Sequence, residues 1–463
     1  MQCPLRAPVL PGLLCALLAA CSVGSAYKRP DIAPPARWQE APNIAGSIWP
    51  AADWWQAFGS ARLNELIGAA QLSNDDLAGA IARVQEADAQ LRIAGAALVP
   101  TLDLDATATR ERGQVTGVGP NVFNDFNPVL TASYEIDFWG KNRAVREAAR
   151  AAAVASRFDQ QTVALTVISS VATTYFQALE QRDRIHVAQQ NFDNGQKILQ
   201  GLKFEQSAGT ATGLDVAQQE TVVALLNAAI PPLREQFRQS VYALAVLVGK
   251  TPESIDVDSG TLTELTSPAV VAGLPSELLS RRPDVAEAEQ QLVAANADIT
   301  VARAALFPSI VLTASGGYES GALSSLVNPV SRVYAASGGL IQPIFHGGAL
   351  RGQLAFSKAR YTELLTSYHK TVLTAFSNVE SALVAARETA DQRERQRDAV
   401  AKARRAYDFA RAQLAAGTVN ILTVLNTENA LFSAQDTLVQ VEYLHLQALV
   451  DLYTALGGGW RQG

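Results

Sequence analysis

The apolar positions of this chain change period several times, and the changes run in the same order twice. Residues 73–99 open with Ser73-Asn74-Asp75-Asp76, side chains able to accept the unpaired N–H groups of a helix start. An Ala-rich helical pattern follows from Leu77 to Val99, and Pro100 stops it. Thr101 to Thr109 then alternates: Leu102, Leu104, Ala106 and Ala108 share one side, with Thr101, Asp103, Asp105, Thr107 and Thr109 on the other. That period of two predicts a strand with one apolar face. Residues 110–127, rich in Gly, Asn, Pro and charge, read as a loop. Pro128 to Phe138 alternates again, with Leu130, Ala132, Tyr134 and Ile136 opposite Thr131, Ser133, Glu135 and Asp137. From Lys141 to about Ser207 there is no proline, and an apolar seam steps by three and four through Leu165, Ile168, Ala172, Tyr175 and Leu179. At 1.5 Å per residue this predicts a helix of about 100 Å. Ala208-Gly209-Thr210 supplies a glycine stop, and a return helix is expected over Leu214–Leu247. Pro231-Pro232 should kink or restart it.

The second half repeats this order at a spacing of 208 residues. Ala97-Leu98-Val99-Pro100 returns as Ala305-Leu306-Phe307-Pro308, and Gly209-Thr210 as Gly417-Thr418. Leu214, Val216, Glu220 and Gly249 return as Leu422, Val424, Glu428 and Gly457. Strands are expected over Ser309–Tyr318 and Arg332–Phe345, around a loop near Glu319 to Ser331. A long helix is expected from Arg351 to about Ala415, with the seam Val372, Phe376, Val379, Leu383, Ala386, and a return helix from Ile421 to Leu456. So long a period is one large unit used twice, not a solenoid. Each half gives two strands and an antiparallel coiled-coil hairpin with an exposed tip. Strands of this length with one apolar face fit a membrane wall or a water-soluble sandwich. Four strands alone close no barrel, and an open edge is forbidden in lipid, so the membrane reading requires oligomerisation.

The start of the chain adds a location. Arg6 and the short apolar run Val9–Ala20 form a processing segment, too short to span a bilayer. It ends Leu18-Ala19-Ala20-Cys21, the pattern of a lipoprotein cleavage site, in which Cys21 becomes the acylated N-terminus; the plain alternative is an ordinary secretory signal with Cys21 incidental. Cys3 and Cys15 lie in the removed segment, so the mature chain has one cysteine, no intrachain disulfide and no thiolate metal site. Residues 22–37 read as an extended tether. Trp38, Trp49, Trp54, Trp55 and Phe58 lead into a short amphipathic helix and read as packing.

Charge and chemistry exclude more than they add. A net charge of −6 with no basic patch argues against nucleic acid. No later stretch reads as a transmembrane helix, so a membrane span must be made of strands. His186, His346, His369 and His445 are scattered without ligand spacing, and no catalytic or phosphate-binding motif is present. No cofactor, metal or enzymatic role is therefore expected. The charged run Arg387–Arg397 reads as a solvated helix face.

Several motifs together resemble the TolC/OprM-like (NodT-type) outer-membrane factor lipoproteins of tripartite efflux systems. They are Gly273-Leu274-Pro275-Ser276-Glu277-Leu278-Leu279-Ser280-Arg281-Arg282-Pro283-Asp284-Val285, Ala304-Ala305-Leu306-Phe307-Pro308-Ser309, Trp54-Trp55-x-x-Phe58, Tyr134-Glu135-Ile136-Asp137-Phe138-Trp139-Gly140, and the segment ending at Cys21. The resemblance implies an α+β membrane protein: a long α-helical coiled-coil barrel plus a transmembrane β-barrel, formed as a homotrimer with four strands from each protomer. It implies a pseudo-sixfold tube in the outer membrane of a Gram-negative bacterium, lipid-anchored and extending into the periplasm. The implied partners are outer-membrane lipid, a periplasmic adaptor protein and an inner-membrane efflux transporter of the RND type, with drugs or other toxic small molecules as cargo. An exit duct for secreted protein, or a non-channel coiled-coil lipoprotein, are the alternatives.

The expected organisation is a signal peptide over 1–20, an anchored segment over 21–72, repeats over 73–249 and 281–457 with a linker over 250–280, and a tail over 458–463. The adaptor-docking tips implied by the resemblance are Ala208, Gly209, Thr210, Ala416, Gly417 and Thr418. Asp215 matches an acidic position of the family's periplasmic gate, where Thr423 and Asn426 stand in the second half. An Arg-Tyr pair common before the tip is replaced by Glu205-Gln206 and Gln413-Leu414. Asp215 against Thr423 and Ala217 against Leu425 mark where the two halves depart from equivalence.

Overall fold

The computed structural model describes residues 23–40, 49–115, 119–270 and 272–460; Cys21 and the processing segment lie outside the described residues. In chain order the main elements are α1 (Ala61–Ser73), α2 (Asp75–Ala96), β1 (Thr101–Val115), β2 (Gly119–Glu135), α3 (Lys141–Ser207), α4 (Gly213–Ala228), α5 (Ile230–Leu247), α6 (Pro275–Leu278), α7 (Pro283–Ala304), β3 (Ser309–Tyr318), β4 (Arg332–Ile341), α8 (Ala349–Ala415) and α9 (Ile421–Ala455). Moved by 208 residues, the bounds of α2 become those of α7 and the bounds of α3 become those of α8. The caps explain the starts. Asn74 accepts from the Leu77 N–H at 3.0 Å, and Ser60 accepts from the Leu63 N–H at 3.1 Å. The return helix of the first half breaks at Ala229, two residues before Pro231-Pro232, whereas α9 runs unbroken.

The chain forms two compact units, each drawn from both halves. The first takes residues up to Asp31, Arg83–Arg157 and Glu287–His369. Its centre is one antiparallel sheet in the order β1-β2-β3-β4. Leu102 pairs with Ala132, and Leu104 with Leu130. Ala132 pairs with Ala314, and Tyr134 with Leu312. Leu312 in turn pairs with Gly338, and Ile310 with Leu340. Paired residues share a face, so one side of the sheet is apolar across all four strands.

One expectation needs correction here. Most of the stretch expected as a loop over 110–127 is strand: β1 continues to Val115 and β2 begins at Gly119. Arg110 lies opposite Asn124, Glu111 opposite Phe123, and Arg112 opposite Val122. A hairpin ladder satisfies the backbone whatever the side chains are, and these three charged residues are exposed, so their polarity costs the strand little. The matching stretch of the second half stays short, with 3₁₀ turns at Leu323–Ser325 and Pro329–Ser331.

The Tyr134–Gly140 motif turns the chain from strand into helix. Asp137 accepts from the N–H groups of Asn142 and Arg143, each at 2.9 Å, and so caps α3. Trp139 donates to the Pro308 carbonyl at 2.7 Å and stacks on Phe307. Residues 23–29 do not lead away as a free tether. They lie along α7, where Arg303 donates to the Val23 carbonyl, Asn296 donates to the Ser25 carbonyl, and Arg29 pairs with Glu289 at 3.1 Å.

The second unit takes Ile32–Ala82, Phe158–Ala286 and Lys370 onward. Its main core joins Trp54, Trp55, Phe58, Leu63 and Ile67 to Val171, Tyr175, Phe176, Leu179, Leu244 and Val450. The aromatic cluster is therefore packing: Trp54 stacks on Tyr453 at 4.9 Å, and Phe58 lies 5.1 Å from Phe176. A stretch of α3 does meet the length and apolarity of a membrane helix, with mean hydropathy 1.3, contrary to expectation. Its apolar face lies in this core, where Val167, Ile168, Val171 and Ala172 are buried. The run Arg387–Arg397 is likewise not all solvated: Arg397 pairs at 2.7 Å with the buried Glu442, and Arg393 lies 3.8 Å from it. His445 is buried beside them; burial, then Arg393 and Arg397, press its pKa down to about 4.

Candidate channel wall and hairpin tips

The wall is the apolar side of the sheet. Leu102, Leu104, Leu130, Leu312, Leu340 and Tyr334 are exposed there, Tyr334 at 92%. The opposite side carries Thr131, Ser133, Thr313, Ser315 and Ser337, paired in the same registers. A sheet buries an apolar face against something, and among the described residues of its unit none forms a layer upon this one. The outer strands β1 and β4 each keep one unpaired edge. Lipid on one face, water on the other and edge pairing with further copies satisfy all three conditions.

The two hairpin tips are built alike. Gly209 and Gly417 sit in the left-handed region at φ of 81° and 70°. In the first, the Thr210 N–H donates to the Glu205 carbonyl and the Gly209 N–H to the Gln206 carbonyl, at 2.9 and 3.0 Å. In the second, the Thr418 N–H donates to Gln413 and the Gly417 N–H to Leu414, at 3.0 and 2.9 Å. These are paired Schellman closures. Each threonine hydroxyl adds a bond to the same carbonyl, Thr210 to Glu205 at 3.0 Å and Thr418 to Gln413 at 3.1 Å. Glycine and threonine therefore have local reasons to stand at these positions. Ala208 and Ala416 are the residues just before the turn.

Beyond the tips the halves diverge. Asp215 closes a capping box: its carboxylate accepts from the Thr212 hydroxyl at 2.7 Å and the Thr212 N–H at 2.8 Å, which holds its pKa below the usual carboxylate range. Thr423 occupies the matching position and bonds Asn420, its N–H at 3.2 Å and its hydroxyl at 3.1 Å. Asn426 is exposed one turn on. The structure thus brings Asp215 and Thr423 to equivalent first turns, each bound to its own cap.

Behind the tips, Leu202 and Val216 of the first hairpin pack with Tyr407, Ala410, Ile421, Val424, Leu425 and Leu431 of the second. Two positions there were read from the sequence only as matching repeat positions. Glu220 is exposed and pairs with Lys203 at 2.8 Å. Its counterpart Glu428 is 4% exposed, and neither carboxylate oxygen has a hydrogen-bond partner. Burial pushes its pKa up to about 7, against the opposing influence of Arg411. The missed signal is the seam itself, in which Glu428 falls between Leu425 and Leu431.

Among the described residues no cluster of His, Cys, Asp and Glu could hold a metal ion. The sequence profile of the family described as Outer membrane efflux protein matches residues 66–250 and again 274–458. The chain is 40% identical to the pyoverdine export outer membrane protein OpmQ of Pseudomonas aeruginosa, over 97% of each chain. It is 31% identical to the cation efflux system protein CusC of Escherichia coli, over 98% of this chain and 99% of that one. The solved outer-membrane channel OprN superimposes with a TM-score of 0.90 at 28% identity, covering 96% of this chain and all of the other. The fold class set out from the sequence, coiled-coil helices plus a four-strand share of a trimeric β-barrel, is that of these channels. Duplicated hairpins, an exposed apolar sheet face and two matched family segments place the chain in the outer membrane of a Gram-negative bacterium as an efflux channel: it belongs to the outer membrane efflux protein family.

Proposed function

We propose that the trimer is a passive duct, powered by an inner-membrane transporter of the RND type and joined to it by a periplasmic adaptor. The observation that carries this reading is the sheet: one face is apolar and exposed, while the other carries Thr131, Ser133, Thr313, Ser315 and Ser337 interspersed with Val129, Val311 and Val333. Conduction needs a wall and an aperture, not a reacting group, so no enzymatic step is assigned. The adaptor docks on the tips Ala208, Gly209, Thr210, Ala416, Gly417 and Thr418, which expose no competing partner: a side chain added at either tip glycine would meet open space. Asp215, Thr423 and Asn426 form the periplasmic gate. Cys21, outside the described residues, carries the S-diacylglycerol and N-palmitoyl anchor. The repeats are 73–249 and 281–457, with 250–280 between them.

The cargo is a toxic or secreted small molecule. A pyoverdine-type cargo is the second reading, favoured by 40% identity to a pyoverdine exporter against 31% to a cation efflux protein. Deleting the gene should raise sensitivity to part of a toxic-compound panel or lower extracellular pyoverdine. The intact gene should restore the lost trait, and Gly417→Pro should not. Unchanged tolerance and secretion together would overturn the reading. Cys21→Ser should remain in the membrane fraction through its barrel; release as soluble protein would contradict a spanning sheet.

A further inference from the structure

In the second hairpin a buried carboxylate stands where the first has an ion pair. Lys203 and Glu220 face each other across hairpin one at 2.8 Å, both half exposed. The same positions in hairpin two are Arg411 and Glu428. Here the pair is not made. Arg411 lies over the Tyr407 ring, 5.7 Å from its centroid, and Glu428 is turned into the apolar seam with both oxygens unpartnered. The seam holds it between Leu425 and Leu431 on its own helix.

The surrounding charges are few. From α8, Arg411 acts on Glu428 as a charge, and Tyr407 is a buried phenol whose ionisation Glu428 opposes. Asp408 and Arg404 act on Tyr407. From hairpin one, Leu202 and Val216 enter the seam, while Lys203 and Glu220 are engaged with each other. On α9 itself the adjoining residues Asn426, Thr427 and Asn429 carry no charge. A neutral carboxyl is tolerable in such a place; an ionised one without a donor is not. The alternative geometry is already drawn in the same molecule, since hairpin one shows this helix pair with the carboxylate outside and salt-bridged.

We propose that Glu428 is a protonation-dependent latch: neutral, it stays in the seam and holds hairpin two against hairpin one; ionised, it leaves to pair with Arg411, and hairpin two shifts at the aperture. The sign follows from the carboxyl being harder to ionise when buried than when free. The seated arrangement is most favoured below the ordinary carboxylate range, weakens as pH rises, and has lost that advantage above about 7. Acid outside the cell would therefore restrain the duct and neutral pH would release it.

The aperture part rests on the duct reading given above, so two measurements are needed. The first places a spin label at Gln413→Cys, an exposed position, in the full-length trimer in lipid, and reads the distances among the three protomers from about pH 5 to about pH 8. The expected result is a shift in the distance distribution with a midpoint near neutrality. Glu428→Gln should stay in the low-pH distribution throughout, Arg411→Ala should move the midpoint upward, and Glu220→Gln should behave as the parent. Distances independent of pH, or a shift that survives in Glu428→Gln, would overturn the latch. The second is conductance in planar bilayers over the same range. If distances respond and conductance does not, the latch stands and the aperture assignment fails. If the trimer conducts while neither responds, the duct stands and the latch fails.

Discussion

The two hairpin tips share a turn and differ behind it. Gly209 and Gly417 close their helices with the same pair of backbone bonds, reinforced by Thr210 and Thr418. One turn further, Asp215 and Thr212 form a reciprocal capping box where Asn420 caps Thr423. Further in, Leu199 of the first seam is replaced by Tyr407 in the second, and the exposed pair Lys203–Glu220 by the separated Arg411 and Glu428. What is retained is backbone geometry that a tight turn cannot do without. What has drifted is side-chain chemistry in the seam, where a ring of three chains needs only three-fold identity.

The strongest way to sharpen this contrast is Tyr407→Ala. Tyr407 is buried in the seam, so its truncation should cost about 3–5 kcal/mol in hairpin stability. The equivalent Leu199→Ala, only half buried, should cost less than half as much. Thermal melting of the detergent-solubilised trimer would compare them, and equal losses would mean that the seams are equivalent after all. A smaller effect is expected from the turns. Gly417→Ala and Gly209→Ala each place a side chain at positive φ, costing about 1–2 kcal/mol, and the two losses should match. A large imbalance in hydrogen exchange at the two tips would break the likeness drawn here. The smallest effect belongs to Lys203→Ala: its pair is half exposed and screened, so at most ~1 kcal/mol should be lost, and high salt should remove the difference.

Much of this architecture was legible because its signals are coarse. Strand alternation around Leu102–Ala108 and Leu130–Tyr134 follows from one face meeting lipid and the other water. Glycine at 209 and 417 and the Pro231-Pro232 pair mark helix ends by sterics that no neighbour can override. The charged extension Arg110–Arg112 was not legible, because a hairpin ladder is made by backbone and its outer part has no buried face to impose a pattern. The seating of residues 23–29 on α7 was hidden for a similar reason: besides the Arg29–Glu289 pair it uses main-chain carbonyls of Val23 and Ser25 that any sequence would supply. Glu428 and Glu220 are the same residue at the same repeat position. Only the packing around them decides that one is buried and the other solvated.

Gly249 and Gly457 end the two return helices at positive φ, and a side chain at either would strike a backbone carbonyl, that of Ser73 in the first half and Arg281 in the second. Ser73 and Arg281 are themselves one repeat apart, and each lies at the beginning of the half that its glycine ends. Each half is therefore a loop that comes back to its own origin. Such a module can be joined to another copy through a short connection, or opened elsewhere along its length, without moving any helix. A chain cut within 250–280 should assemble from its two pieces, and duplication of a half-length ancestor would have required no new geometry at the join.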